Sequence, residues 1–249
     1  MADLYSKVTL RPRSKLERLV DLLEPACEVP ARPKNGLATQ LALYFLLWGE
    51  AAPHAAAQTV KTWLSPDGQL DGGQLAAGPR DIVASLCNEA RIDEVVAALQ
   101  AVGRLAGDGL EGVARRDPED ARRKLATLPR LTADQADFIL LASGVVSTVA
   151  PSAAALRVVS RVGYPGTSYA SLARALDAEL PEGDQQEVAW RAHHVLKHHG
   201  LKVCKETPAC GSCRAKPGCA YAGEGDDPAA RLAPPSRYGS HPTGEGAGG

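Results

Sequence analysis

Aromatic side chains are scarce in this chain: two Phe, six Tyr and three Trp among 249 residues, 4% in all. A core of this size is then filled mainly by Ala, Leu and Val, a composition that favours helices over strands. Long apolar runs are lacking too. The longest, Leu41 to Trp48 in LALYFLLW, falls far short of the ~18 residues that a membrane span needs, so the chain reads as soluble with no membrane partner. An excess of one charge is also absent: 28 Lys and Arg stand against 29 Asp and Glu, for a net charge of −1, which argues against a uniformly basic nucleic-acid binder. The opening residues carry no signal-peptide pattern. A reducing cytoplasm is therefore expected, where disulfides are rare.

The charge that is present is unevenly spread. Residues 1–35 hold seven Lys/Arg against five Asp/Glu, a balance of +2; residues 36–146 hold ten against fourteen, −4; residues 147–222 hold nine against six, +3. If the two basic ends fold together, they form a basic lobe beside an acidic one, and a phosphate backbone would be held mainly by the basic lobe. Ordinary surface scatter gives differences of the same size.

Apolar residues recur at three- and four-residue steps in nine stretches: 15–23, 38–48, 55–64, 91–105, 118–128, 133–143, 153–162, 171–180 and 185–200. Each predicts an amphipathic helix. Start signals support several: Asp117-Pro118 with Glu119 and Asp120 in the first turn, Thr132 before Ala133, and Pro151-Ser152 before Ala153. The fold class is accordingly all-α. Beyond Tyr221 the composition turns abruptly to Gly, Pro and Ala without a period, so 223–249 is expected to be a disordered tail.

Four of the six cysteines crowd into sixteen residues as C-x5-C-x2-C-x5-C: Cys204, Cys210, Cys213 and Cys219. The intervening loops KETPA, GS and RAKPG are short, polar and turn-forming, so an inorganic centre must organise them. Spacing leaves an iron–sulfur cluster, a four-cysteine zinc site and a disulfide pair open. Zinc sites usually present two C-x2-C pairs, whereas this chain has one, with an outlying Cys on each side. Cys27 and Cys87 lie outside the cluster and read as buried thiols.

The segment Trp190 to Tyr221, WRAHHVLKHHGLKVCKETPACGSCRAKPGCAY, resembles the C-terminal end of endonuclease III-type DNA glycosylases. In that family a helix with paired His and a following His-Gly leads into a four-cysteine [4Fe-4S] loop. His193-His194, His199-Gly200, Cys210-Gly211-Ser212-Cys213 and Cys219-Ala220-Tyr221 fall on the pattern, although the first cysteine gap is five residues here and usually six there. Upstream, Leu128 to Ala136 (LPRLTADQA) stands where the family carries its helix-hairpin-helix, Leu-Pro-Gly-Val-Gly-Arg-Lys-Thr-Ala. Pro151-Ser152-Ala153-Ala154, ahead of Leu156-Arg157-Val158, stands where the family reads Val-Asp-Thr-His ahead of Arg-Val. Arg161 helps to fix the register, and the resemblance runs from about Ala38 to Tyr221.

The resemblance implies two helical lobes with a DNA cleft between them. A six-helix barrel at 36–146 would contain the hairpin at 128–136, and 1–35 would join 147–222 in a cluster lobe whose [4Fe-4S] is held by Cys204, Cys210, Cys213 and Cys219. It also exposes what is missing. The family's hairpin Lys attacks C1′ of the damaged nucleotide as a Schiff-base nucleophile, and an Asp eighteen residues on activates it. Asp134 stands in place of that Lys and Ser152 in place of that Asp. A carboxylate forms no Schiff base, and a hydroxyl supplies no negative charge.

Arg130 and Thr132 replace the two hairpin glycines whose backbone approaches phosphate, so that backbone anion site is expected to be lost, with the Arg130 side chain as the remaining route to phosphate. Glu50, in Trp48-Gly49-Glu50-Ala51-Ala52-Pro53, stands where the family carries a Gln that fills the gap left by the extruded base. Lys202, Lys205, Arg214 and Lys216 surround the cysteine loop, which lies on the DNA backbone in the family.

The expected partner is double-stranded DNA, damaged or distorted, bound by a monomeric, nucleoid-associated base-excision-repair protein without the usual lyase chemistry. Two alternatives stand beside it. One is an active glycosylase in which Asp134, or Asp137 one turn on, polarises a water. The other is a cluster-bearing structural or redox protein that no longer binds DNA.

Overall fold

The computed structural model describes residues 11–223; the expected disordered tail lies outside them, apart from Gly223. Ser14 starts the first helix, α1 (Lys15–Leu23), through a reciprocal cap. Its hydroxyl accepts from Glu17 N at 3.2 Å, and the Glu17 carboxylate accepts from Ser14 N at 2.9 Å, satisfying two of the amides that a helix start leaves orphaned. Twelve further helices follow: α2 (Leu37–Trp48), α3 (Pro53–Thr62), α4 (Gly72–Ala76), α5 (Arg80–Leu86), α6 (Ile92–Gly107), α7 (Leu110–Arg116), α8 (Pro118–Leu125), α9 (Ala133–Ala142), α10 (Ala153–Val162), α11 (Tyr169–Asp177), α12 (Gln185–Lys202) and α13 (Ala220–Gly223). Among the described residues the only β pairing is one isolated bridge, Leu64 to Leu70. The protein is all-α, as the composition implies.

All nine stretches read from apolar period are helical, and α1 and α10 keep the expected bounds. The period does not reveal α4, α5, α7 or α13, each of seven residues or fewer. Tertiary packing makes these. A Cβ on Gly103 of α6 would stand 2.6 Å from both Gly72 O and Ala76 N of α4, so the two backbones touch where no side chain intervenes.

Two hydrophobic cores result. The first gathers Leu41, Phe45 and Leu46 of α2, Val95, Leu99 and Val102 of α6, Leu110 of α7 and Leu125 of α8. The second gathers Leu16 and Val20 of α1, Val158 and Val159 of α10, Leu176 of α11, and Val195 and Leu196 of α12. The N-terminal stretch thus folds back on the C-terminal helices. The Trp190 indole donates to Pro30 O at 2.7 Å, and Arg191 pairs with Asp21 and Glu24. Gly200 explains the His-Gly dipeptide at the end of α12: an added Cβ would collide with Ala154 O of α10. Cys27 and Cys87 are half-buried rather than fully buried, and burial pushes both thiols up in pKa.

α12 also buries a histidine. His193 is 4% exposed, stacks on Phe138 with ring centroids 4.5 Å apart, and donates from Nδ1 to Ala150 O at 2.6 Å. Burial first, then the neighbouring His194 and Lys197, lowers its pKa from 6.5 to about 4. The folded state therefore refuses a proton that the unfolded chain accepts below pH 6.5. Stability conferred by neutral His193 is complete above pH 6.5 and is lost as pH falls from 6.5 through 4, by up to about 3 kcal/mol. Equilibrium unfolding of the protein and of His193→Phe across that window checks this; the variant is expected to show the flatter pH profile.

Candidate nucleic-acid interface and cysteine cavity

α8, the turn 126–132 and α9 form the hairpin. Leu128 is buried and Leu131 packs on the first core, anchoring the turn from within. Between them Arg130 takes φ +59. The left-handed backbone that favours glycine is therefore kept without glycine. Thr132 begins α9, its amide donating to Gln135 Oε1 at 3.0 Å, and the Tyr44 hydroxyl lies 2.7 Å from the same oxygen and 2.9 Å from Arg130 O. The Arg130 guanidinium is engaged: Nε donates to Glu94 at 2.8 Å. That pairing pulls the Glu94 carboxyl below its usual pKa range.

Asp134 sits in the first turn of α9, where a carboxylate suits the helix dipole, and accepts from the Thr132 hydroxyl at 2.6 Å. Ser152 is the N-cap of α10, its hydroxyl accepting from Ala155 N at 3.3 Å. Each replacement thus has a local helix-starting role. Among the described residues no hydrogen bond joins the two. Asp137 does not face solvent as a water-polarising base would: it is 5% exposed, accepts from Arg122 Nε at 2.6 Å and from the Tyr169 hydroxyl at 2.6 Å. Burial and Asp137 together drive the Tyr169 phenol far upward in pKa. Next to this network Asp177, its pKa raised by burial, accepts from Thr148 Oγ1 and Val149 N, both at 2.7 Å, fixing the chain that leads to Ser152.

Glu50, the second non-glycine residue with positive φ (+70), is paired rather than free. Its carboxylate lies 3.0 Å from the Arg91 guanidinium and accepts from Asn88 Nδ2 at 3.0 Å. A groove of about 500 Å³ between the lobes is lined by Arg32, Lys34, Glu111, Arg115 and Glu187 among others; Asp134, Ser152, Arg130 and Glu50 do not line it.

Cys204, Cys210, Cys213 and Cys219 line one small cavity with Arg161, Lys216 and Tyr221. None of the four is in a disulfide. Among the described residues no three His, Cys, Asp or Glu side chains converge on a point that could hold a single metal ion. Burial raises the Cys213 thiol pKa, and the charges of Cys204, Cys219 and Cys210 add to that.

Donors surround the sulfurs. Arg161 Nη1 is 3.4 Å from Cys204 Sγ, and His199 Nε2 is 3.5 Å from Cys213 Sγ. Arg161 also donates to the carbonyls of Lys205 and Glu206, and Arg157 to those of Cys204 and Gly200. Sequence reasoning used Arg157 and Arg161 only for register. Their i, i+4 spacing on α10 was the available signal that one helix face grips the cysteine loop. Lys202, Lys205, Arg214 and Lys216 are exposed around this loop, and none forms an ion pair among the described residues.

A solved structure that matches is that of a trapped covalent intermediate of endonuclease III with DNA, an estranged-adenine complex. The TM-score is 0.54 at 17% identity, covering 83% of this chain and 95% of that one. The chain has the endonuclease III fold. No protein-family model matches the sequence, and no curated protein does. The cysteine loop is held by Arg157 and Arg161 of α10, in the second core, and the hairpin leads into α9, which packs in both cores.

Proposed function

We propose that this protein binds double-stranded DNA through an endonuclease III-like fold and lacks Schiff-base lyase chemistry. The reading is carried by the hairpin: its left-handed turn persists at Arg130, while the position of the family's amine holds Asp134, hydrogen-bonded to Thr132. The fold likeness to a protein trapped on DNA supports the binding half of the proposal. So do the four exposed cations around the cysteine loop, which have no carboxylate partner among the described residues to release before meeting a phosphate. Asp137 is committed to Arg122 and Tyr169, which disfavours the active-glycosylase alternative.

The cysteine cavity fits a [4Fe-4S] cluster better than zinc. A single tetrahedral ion with bonds of about 2.3 Å would draw four sulfurs to within about 3.8 Å of one another. A cluster takes one thiolate at each iron and needs no single meeting point for the sulfurs, and no three of these side chains converge on one point among the described residues. Arg161 would offset the thiolate charge from outside the ligand shell, and the neutral His199 would donate an N–H toward Cys213. When bound, the cluster supplies a rigid scaffold and a one-electron redox couple.

Anaerobically purified protein is expected to contain about four iron and four inorganic sulfide per chain; one zinc and no sulfide would replace the cluster with a zinc site. In titrations of a labelled duplex at several salt concentrations, Lys205→Gln with Lys216→Gln is expected to weaken binding and flatten the logarithmic salt dependence by about 1–2. An unchanged salt slope would remove the loop from the interface, and absence of any binding by the wild-type protein would leave the structural or redox alternative.

A further inference from the structure

Trp48 closes α2, and two guanidinium groups face its ring: Arg91 at 5.1 Å from the centroid and Arg130 at 5.9 Å. Arg91 comes from the turn before α6 and Arg130 from the hairpin tip, so three separate segments meet at one indole. Each arginine is met by a carboxylate, Arg91 by Glu50 and Arg130 by Glu94. Arg91 is fastened further, since it also donates to Trp48 O. Arg130 is not: its guanidinium has Glu94 as its hydrogen-bond partner, and its side chain is 60% exposed.

The backbone adds a second observation. Glu50 and Arg130 are the two non-glycine residues with positive φ among the described residues. Glycine makes such turns without the steric penalty that a Cβ brings, and strain of this kind gathers at functional sites. Here both strained residues belong to one charged group around Trp48.

Resting on the DNA-binding reading above, we infer that Glu94 is a built-in competitor for DNA phosphate, which parks Arg130 against Trp48 until a phosphate backbone displaces it. The carboxylate and a phosphate oxygen present the same acceptor chemistry to the guanidinium. An exposed pair is weakly held, whereas a duplex offers a dense row of phosphates and gains from counterion release. The exchange therefore favours DNA while costing affinity, and the cost equals the strength of the pair.

A double-mutant cycle tests this, with duplex binding by the full chain measured by fluorescence anisotropy for wild type, Glu94→Gln, Arg130→Gln and the double variant. Glu94→Gln is expected to tighten binding about twofold to fivefold, and the gain is expected to vanish in the Arg130→Gln background. An equal gain in both backgrounds would mean a through-space charge effect and would overturn the gate, as would no gain at all. Both positions are exposed, so thermal melts are expected to match wild type and certify the comparison. If wild-type protein binds duplex but shows no coupling, the gate alone falls. If no variant binds, the DNA-binding reading falls and takes the gate with it.

Discussion

Helix α9 belongs to both hydrophobic cores, and the rest of the architecture depends on that shared wall. Ala136, Ile139 and Leu140 pack into the first core, while Leu141, Ala142 and Phe138 face the second. Asp137 lies among them, tied to Arg122 of α8 on one side and Tyr169 of α11 on the other. A buried carboxylate is tolerated only when its charge is met. The lobes are thereby joined by packing and by an ion pair through the same ten-residue helix, whose first turn is the hairpin position of chemical interest.

This constraint explains how the fold holds with Asp134 in the first turn of α9 and Ser152 at the start of α10. Asp134 and Ser152 each satisfy a helix start, so neither replacement leaves an unsatisfied group. At the other end of α10, Arg157 and Arg161 bind the backbone of the cysteine loop. The loop's position is therefore set by the second core, independently of what occupies the hairpin. Charge is arranged differently at the two ends: cations around the cysteine loop are unpaired among the described residues, whereas those near the hairpin are held by Glu50 and Glu94.

What was legible in the sequence followed local rules. Nine helices appeared through apolar period and capping residues, and the cysteines through their spacing. The short helices were illegible because their existence rests on contacts such as Gly72 against Gly103, which leave no periodic trace. The same holds for the site. Arg130 and Glu94 are 36 residues apart, and nothing in either segment announces the pairing. A left-handed Arg130 was also hidden, since the sequence shows only that glycine is missing. Asp137 looked available one turn beyond Asp134 because helical spacing gives its angular position, not the partners supplied by α8 and α11.

DNA binding by this fold with no amine at position 134 is open to a direct experiment. Borohydride trapping on duplexes carrying an abasic site or an oxidised pyrimidine tests it most directly, with binding measured on the same duplexes. Binding with no covalent protein–DNA adduct and no strand cleavage is expected. A trapped adduct would show that another amine serves as nucleophile and would contradict the account.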